Sequence, residues 1–331
     1  MRCASSIRAG VLCAFTCVLT CVSAAQDPLP TQSAPIRTDV PLVLIPAAVV
    51  DRKDRPIDGL SADDFTVTED GVPQKIRMDT SDTVQTPVSM VVAIQSNQIA
   101  APALARIRRV GSMIQPLIAG DRGRTAVITF DAEVKVLQGF TADSTKIRDA
   151  FTGVKPHSEQ HATLIDAVAE GVKMLAARPE NSRRIMLIIS ESRDRGSKMK
   201  LAQAVELAQR AGVIIYPLTY SAQGSTWISK PEDAAAQGDT NLLGLLTEPA
   251  RLASTNDADF FAAATGGRHL SFLTLNALEK VVSRAGEEIH SQYLLSFAPA
   301  TNGNPGFHRV EVTVPSQRDA VIRARPGYWP K

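Results

Sequence analysis

Between residues 87 and 219 the chain alternates short apolar runs with segments of helical periodicity, and this alternation limits the folds open to it. Strand-length apolar runs occur at Val88–Ile94, Thr125–Phe130, Ile185–Ile189 and Val213–Leu218. Near-continuous apolar strands separated by helices are typical of a parallel sheet that is covered on both faces. The pattern predicts an α/β fold, a three-layer Rossmann-like domain with a mostly parallel central sheet.

The first helical segment shows the periodicity most clearly. It is predicted over Leu104–Ile118, with one apolar stripe formed by Leu104, Ile107, Val110, Ile114 and Leu117. Residues three and four apart share a helix face, so this stripe is predicted to pack against the sheet. The stripe is interpreted as core packing and not as a cofactor site.

Short strand patterns flank this domain on both sides. Phe65–Thr68 alternates with period two, and Glu69–Gly71 is typical of a hairpin turn, so Gln74–Met78 is predicted as the returning strand. Further strand patterns occur at 292–297 and 308–314. We predict a small β-rich unit assembled from the N- and C-terminal segments.

The first 25 residues have the features of a signal peptide. Arg2 and Arg8 give a positive start, Ala9–Val22 is apolar and uncharged, and small residues allow cleavage after Ala24 or Ala25. The apolar run is shorter than the roughly 20 residues that a transmembrane helix needs. All 4 cysteines lie in this segment, so the mature chain is predicted to have no thiol. We therefore expect an exported protein, periplasmic or secreted, with no transmembrane anchor after cleavage.

Charge argues against nucleic acid as a ligand. The chain has 36 basic and 34 acidic residues, and removal of Arg2 and Arg8 leaves 36 − 2 = 34 of each sign. A mature net charge near zero, without a basic run, disfavours nucleic-acid binding. The predicted organisation is a signal peptide at 1–25, a linker at 26–39, an N-terminal β-rich segment at 40–84, an α/β domain at 85–289 with an insertion at about 221–257, and a C-terminal β segment at 290–331.

Several short motifs resemble one family in order along the chain. Pro87–Ile94 looks like the first strand of a von Willebrand factor A (vWA) domain. Gly59–Phe65 with Glu69–Gln74, and Ser291–Phe297 with Arg323–Tyr328, resemble the N- and C-terminal signatures of the exported, acidobacterial-type VWFA-related family. The resemblance runs from about residue 40 to residue 329. It implies a vWA-like fold and a role in adhesion or protein–protein interaction.

Members of this family usually hold a cation at a metal-ion-dependent adhesion site, built from an Asp-x-Ser-x-Ser loop, a Thr and a later Asp. The matching positions here are Gln95, Asn97, Ile99, Ala162 (with Thr163 one residue off) and Glu191. Two of these side chains lack oxygen and two are neutral amides, whereas Mg²⁺ prefers carboxylates and water. The resemblance therefore implies a degenerate site and no cofactor. We interpret it as a metal-free polar contact surface. The alternatives are a vestigial loop whose amides bond their own backbone, and Mg²⁺ held by atypical ligands.

Other chemistry finds less support in the sequence. No Gly-x-Ser-x-Gly elbow and no strand-linked nucleotide-binding glycine motif occurs, so the chain is predicted not to be an enzyme. A metal-dependent hydrolase outside the cytoplasm, using Glu191, Asp166 and a loop histidine (His157 or His161), is the alternative. Trp227 and His161 are candidate contacts for the predicted partner, an unidentified extracytoplasmic protein.

Overall fold

The computed structural model describes residues 42–78, 86–157, 160–179, 182–220, 256–272, 275–299 and 305–330. The strands in this part of the chain are β1 (Val43–Val50), β2 (Thr66–Glu69), β3 (Val72–Pro73), β4 (Ile76–Met78), β5 (Val88–Gln95), β6 (Arg124–Phe130), β7 (Val134–Thr141), β8 (Arg183–Ser190), β9 (Val213–Tyr220), β10 (Leu270–Phe272), β11 (Tyr293–Phe297), β12 (His308–Thr313), β13 (Val321–Ala324) and β14 (Gly327–Tyr328). The helices are α1 (Ala101–Ile114), α2 (Ser144–Thr152), α3 (Leu164–Ala176), α4 (Leu201–Ala211), α5 (Asp257–Thr265) and α6 (Leu275–Ser291).

Six strands form the central sheet in the order β10-β9-β8-β5-β6-β7. All neighbours are parallel except β6 and β7, which form an antiparallel pair. Alternate residues of β5 enter two separate cores: Met90 and Val92 pack on the side of α1 and α6, while Val91 and Ala93 pack on the side of α3 and α4. Burial of both faces explains why these strands are apolar throughout. The predicted α/β fold class is confirmed.

The strand order places a topological switch point at one edge of the central sheet. β5 lies in the middle, between β6 and β8. It is followed by α1 on one face, whereas β8 is followed by α4 on the other face. Loops that leave neighbouring strand ends in opposite directions open a crevice at the carboxyl ends of the strands, where open α/β sheets bind their ligands. The candidate site residues Gln95 and Glu191 lie at this edge.

The end of α1 departs from the predicted stripe. The helix continues as a π-helical turn over Gln115–Ala119, which inserts one extra residue per turn. The core position therefore moves from Leu117, which is 36% exposed, to Ile118, which is buried. The buried Gln115 side chain holds this turn by donating to the carbonyls of Gly120 and Gly123, at 2.8 and 3.1 Å. The prediction that Leu117 is a core residue is wrong for this reason.

The flanking segments form two four-stranded sheets, β13-β1-β11-β4 and β14-β12-β2-β3, which share one apolar core. Both sheets combine N- and C-terminal strands, as predicted for the β-rich unit: the two kinds alternate in the first sheet, and in the second the C-terminal pair β14-β12 lies beside the N-terminal pair β2-β3. The predicted single return at Gln74–Met78 is wrong. Asp70 and Gly71 have positive φ, so the chain reverses early and Val72–Pro73 pairs with β2. Pro73 cannot donate a ladder hydrogen bond, and the chain then crosses to pair β4 with β11 in the other sheet.

A ring of four charges joins the β-rich strands to the central domain. Arg268 pairs with Asp54 at 2.6 Å and with Glu288 at 3.5 Å, while Arg323 contacts the same two carboxylates at 3.1 and 3.4 Å. Glu288 and Arg323 are buried. Burial would raise the pKa of Asp54, but hydrogen bonds from the two arginines outweigh it and lower that pKa. The ring connects the loop after β1 and strand β13 to α6 and the start of β10.

Several predictions concern membrane spans, targeting and domain boundaries. Within the described ranges, no helix is both long and apolar enough to cross a bilayer. The predicted signal peptide at 1–25, the linker at 26–39 and nearly all of the insertion at about 221–257 lie outside the described residues. The domain boundaries at 84/85 and 289/290 stay predictions.

Candidate functional site

Two neutral amides end the central strand β5. Gln95 and Asn97 are both fully buried. Gln95 Nε2 donates to Asn97 Oδ1 at 2.9 Å, and Gln95 Oε1 accepts from the backbone N–H of Glu191 at 2.8 Å. The side chain of Gln95 therefore ties the end of β5 to the end of β8 through its own donor and acceptor.

Asn97 extends this network to two further segments. Its Oδ1 also accepts from the N–H of Ala100 at 3.0 Å, which caps the short 3₁₀ turn at 98–100. Its Nδ2 donates to the backbone carbonyl of His161 at 3.0 Å. With Oδ1 accepting two bonds, both lone pairs of this oxygen are used. The two amides thus connect three loops at the carboxyl edge of the sheet.

Three further predicted positions, Ile99, Ala162 and Thr163, contribute no side-chain oxygen to this network. Ile99 lies half-buried in the 3₁₀ turn, and Ala162 is fully buried. Thr163, one residue on, turns its hydroxyl to the backbone carbonyl of Asp131 at 3.0 Å. Gln95, Asn97 and Glu191 are therefore brought together, whereas Ile99, Ala162 and Thr163 serve as packing or backbone anchors.

Glu191 supplies the single carboxylate among these positions. Its side chain is 14% exposed, and Oε2 lies 3.2 Å from Arg195 Nη2. Among the described residues this oxygen makes no aligned hydrogen bond, so the contact is an ion pair only. Burial, and then the nearby Glu191 carboxylate, raise the pKa of Tyr220 at the end of β9. The carboxylate therefore pairs with the Arg195 guanidinium and lies near the Tyr220 hydroxyl.

The loop from 191 to 200 is anchored by carboxylates that point inward. Asp194 Oδ1 accepts from the N–H of Ile165 at 3.0 Å, at the start of α3, and from Ser197 Oγ at 2.5 Å. Asp166 accepts from two successive backbone N–H groups just before α4, each at 2.9 Å. Carboxylates at helix starts stabilise the exposed N–H groups there. Asp166 is therefore occupied in holding the loop.

A second polar chain, which the sequence did not indicate, lies nearby on the sheet. Thr219 Oγ1 lies 2.6 Å from Nε2 of His269, and Nδ1 of that ring contacts the Asp259 carboxylate. The order hydroxyl, imidazole, carboxylate is that of a nucleophilic triad. Thr219 is only 5% exposed, however, and a nucleophile needs an open side toward its substrate. We interpret these three side chains as a structural hydrogen-bond network that joins α5 to the strands β9 and β10.

The remaining candidate contact and metal-binding residues are His157, His161 and Trp227. His157 and His161 are both exposed. His161 lies against Gly196, where an added Cβ would come within 3.1 Å of the ring. The described residues contain no group of three His, Cys, Asp or Glu side chains arranged to hold a metal ion. Trp227 lies outside the described residues.

Arg195 is the residue at this edge that sequence reasoning missed. Its N–H donates to the carbonyl of Ala162 at 2.8 Å, and its carbonyl accepts from Ala162 N–H at 3.0 Å. This two-way backbone bridge joins positions 33 apart in the chain, so a local pattern could not reveal it. The available signal was the four-residue spacing of Glu191 and Arg195 before Gly196, which has a positive φ of 107°.

Comparison with known proteins gives structural matches only. No family model and no curated protein matches the chain. Conserved hypothetical protein BatB from Bacteroides thetaiotaomicron is 15% identical with a TM-score of 0.44, and the match covers 61% of this chain and 98% of that one. The vWF domain of the type V pili tip protein Mfa5 from Porphyromonas gingivalis is 10% identical, with a TM-score of 0.40 and coverage of 60% and 94%. The SpRpn10 VWA domain is 12% identical, with a TM-score of 0.36 and coverage of 60% and 93%.

These matches include vWA domains, the group that the sequence motifs resemble. At such identities and TM-scores they carry no inference about ligand, partner or activity. The vWA-like fold of the central domain is given by its own sheet order and by the helices on both faces.

Proposed function

We propose that this chain, whose central domain is vWA-like in fold, is an exported protein-interaction module that works without a metal ion. Its contact surface is the carboxyl edge of the central sheet, in the loop that begins at Glu191; Gln95 and Asn97 are fully buried there and hold the loops in place without reaching a partner themselves. The proposal of export rests on the pattern of residues 1–25. The extracytoplasmic partner is a protein and not a nucleic acid, in line with the near-zero mature charge.

The hydrogen-bond network of the two amides is the observation that carries the metal-independent part. Gln95 and Asn97 already use their carbonyl oxygens to accept backbone N–H groups of Glu191 and Ala100. A cation bound there would have to displace these bonds, and it would find one carboxylate, which is paired with Arg195. Mg²⁺ gives up its water shell reluctantly and needs anionic oxygens in return. The amides connect the loops directly, which is the task that a bound cation otherwise performs.

The same geometry supports an interaction role over hydrolysis. Asp166, one residue of the hydrolytic alternative, has both carboxylate oxygens committed to backbone N–H groups. A general base has to reach a substrate proton within hydrogen-bond distance. The committed Asp166 holds a loop in place, and the exposed part of that loop remains for contact with a partner.

Calorimetric titration with Mg²⁺, Mn²⁺ and Zn²⁺ tests the metal-independent proposal. We expect no saturable heat with any of the three ions. Tight binding of Mg²⁺ or Mn²⁺ would instead support cation-assisted adhesion through atypical ligands. Tight Zn²⁺ binding that is lost in His161→Ala would support the hydrolase.

A matched gain-of-binding variant makes a negative titration informative. Gln95→Asp, Asn97→Ser, Ile99→Ser, Ala162→Thr and Glu191→Asp together restore the family's ligand pattern on the same backbone. We expect this variant to bind Mg²⁺ where the natural chain does not. If the natural chain binds as tightly as the restored one, the amides are ligands and the proposal is wrong.

Capture from envelope extract tests the partner and its surface. The full chain serves as bait, with Glu191→Ala as the surface variant and Glu206→Ala as the control. Glu206 forms the same i, i+4 ion pair with an arginine, Arg210, at 2.8 Å, but on α4. We expect capture to fall with Glu191→Ala and to persist with Glu206→Ala; equal capture by both would place the contact elsewhere. Trp227→Ala tests the second candidate contact in the same assay.

A further inference from the structure

We propose that Arg195 is the binding group of this edge, and that it receives a carboxylate from an acidic segment of the partner protein. This inference rests on the proposed function and deepens it by naming the partner's chemistry. It comes from the juxtaposition of three features: a backbone bridge that holds Arg195, a carboxylate that orients its guanidinium, and the charge of the surrounding loop.

The backbone of Arg195 is held in place by Ala162, one of the positions of the degenerate metal site. Both of its backbone groups bond Ala162, at 2.8 and 3.0 Å. Its ion-pair partner Glu191 is in turn held by the side chain of Gln95, at 2.8 Å. Gly196 follows directly with φ of 107°, a conformation that other residues rarely adopt. The position of the arginine is therefore set before any ligand arrives, which lowers the entropy cost of binding.

The guanidinium keeps donors for a ligand. The Arg195 side chain is 40% exposed, and its described contact is the ion pair with Glu191 at 3.2 Å, which is not an aligned hydrogen bond. A guanidinium has five N–H donors in a planar fork that matches a carboxylate with two parallel bonds. Glu191 thus orients the guanidinium through Nη2, while the other N–H groups of the guanidinium remain to donate to a ligand.

The charges of the loop select an acidic ligand. Residues 191–200 contain four exposed basic side chains, at Arg193, Arg195, Lys198 and Lys200. The two acidic residues of the same loop are turned inward, since Glu191 faces Arg195 and Asp194 bonds the start of α3. The exposed charged side chains of the loop are therefore all basic, while the neighbouring carboxylates of Asp166 and Asp257 accept hydrogen bonds from its backbone N–H groups. Such a surface steers an acidic partner toward it.

Binding of poly-L-glutamate to the full chain, measured by calorimetry at low and at physiological salt, tests this proposal. We expect Arg195→Ala to weaken the affinity about tenfold, the loss of one charge-assisted contact. Arg195→Lys keeps the charge but not the fork, and we expect about a threefold loss. This second variant also keeps the test valid if the alanine variant fails to fold.

Glu191→Gln separates an oriented arginine from general attraction. The change makes the loop more positive, so simple electrostatics predicts tighter binding of poly-L-glutamate. If Glu191 orients the guanidinium, binding weakens instead. Arg210→Ala is the matched control, because Arg210 is 48% exposed and pairs with Glu206 at the same spacing, near the opposite end of the sheet. We expect it to change the affinity less than twofold.

Inorganic polyphosphate and phosphatidylglycerol vesicles complete the test. Stronger binding to either one, insensitive to Arg195→Lys, would show a general anion or lipid surface and overturn the proposal. Envelope capture that survives Arg195→Ala would overturn this inference and leave the proposed function standing. Binding of poly-L-glutamate that needs Arg195, without any captured envelope protein, would support the inference and count against the proposed function.

Discussion

Two polar networks join separate segments of this molecule, and they use opposite chemistry. At the carboxyl edge of the sheet, the neutral amides of Gln95 and Asn97 bond each other and three backbone groups. At the junction with the β-rich strands, Asp54, Glu288 and two arginines form a closed ring of charge. One network connects loops without charge, and the other concentrates four charges in a largely buried place.

The difference has a physical consequence for each region. Burying a neutral amide costs little when its donors and acceptors are all used, whereas burying charge carries a large desolvation penalty. The ring therefore depends on every member, because loss of one leaves two like charges sharing a single opposite charge. The amide network itself adds no charge to the edge, where the charged side chains are Glu191 and the exposed basic residues of the 191–200 loop. The junction is specialised for holding segments together, and the edge is left available for contact.

The largest expected effect breaks the charged ring. Arg323→Met removes the cation that contacts both Asp54 and Glu288, and it leaves these two carboxylates to share Arg268. We expect the free energy of unfolding to fall by about 3–5 kcal/mol, measured by urea titration. Arg52→Met is the control, because Arg52 pairs with Asp319 on the surface, and we expect a loss below about 1 kcal/mol. Equal losses in the two variants would remove the distinction between the junction and the surface.

The next effect tests whether the neutral network is also a structural element. Asn97→Ala removes the acceptor for Gln95 and Ala100 and the donor to His161. A buried Gln95 amide is left unsatisfied, so we expect a loss of about 2–3 kcal/mol in the same titration. Ser112→Ala on α1, where an exposed hydroxyl is lost, serves as the control. A loss below that control would mean that the loops are held by packing and not by the amides.

A smaller effect tests whether neutrality itself is needed. Gln95→Glu keeps the acceptor for the N–H of Glu191 but replaces the donor to Asn97 Oδ1 with a second oxygen. We expect a loss of about 1–2 kcal/mol at pH 7. A buried carboxyl has a raised folded pKa, so the loss grows as pH rises above its unfolded value of about 4.3 and nearly vanishes below it. A loss that does not change between pH 4 and pH 7 would contradict this account.

The fold was predictable where one local rule decides the structure. The apolar run of β5 is buried on both faces, so its place in the sheet did not depend on exact periodicity. Leu117 was misplaced because a π turn shifts the register by one residue, and the apolar stripe gave no sign of this turn, which the buried Gln115 holds through the carbonyls of Gly120 and Gly123. The hairpin turn at Glu69–Gly71 was located correctly, but the returning strand pairs with β2 only through Val72 and Pro73, because proline cannot donate a ladder hydrogen bond.

The candidate site was predictable only in part, for a related reason. The ends of β5 and β8 locate Gln95 and Glu191, because neighbouring parallel strands bring their carboxyl ends together. Arg195 comes to the same place through its backbone bridge with Ala162, a pairing of two loops that have no strand pattern. Contacts between irregular segments follow from the folded chain as a whole, so local spacing did not indicate this arginine.

The smallest expected effect is a change in how the free energy of unfolding depends on pH, caused by Asp54 of the charged ring. Hydrogen bonds from Arg268 and Arg323 outweigh burial and lower the pKa of Asp54 below its ordinary value of 3.8. A lowered folded pKa gives stability that is present above the unfolded pKa and is lost as pH falls through the folded one. We therefore expect stability to decline below about pH 4 with a slope that Asp54→Asn reduces, measured by urea titration from pH 2.5 to 6. Asp319→Asn is the control, because Asp319 is 72% exposed and pairs with Arg52 on the surface, where water screens the interaction. A larger change of slope with Asp319→Asn would show that the ring, despite its burial, is not what couples this molecule's stability to acid.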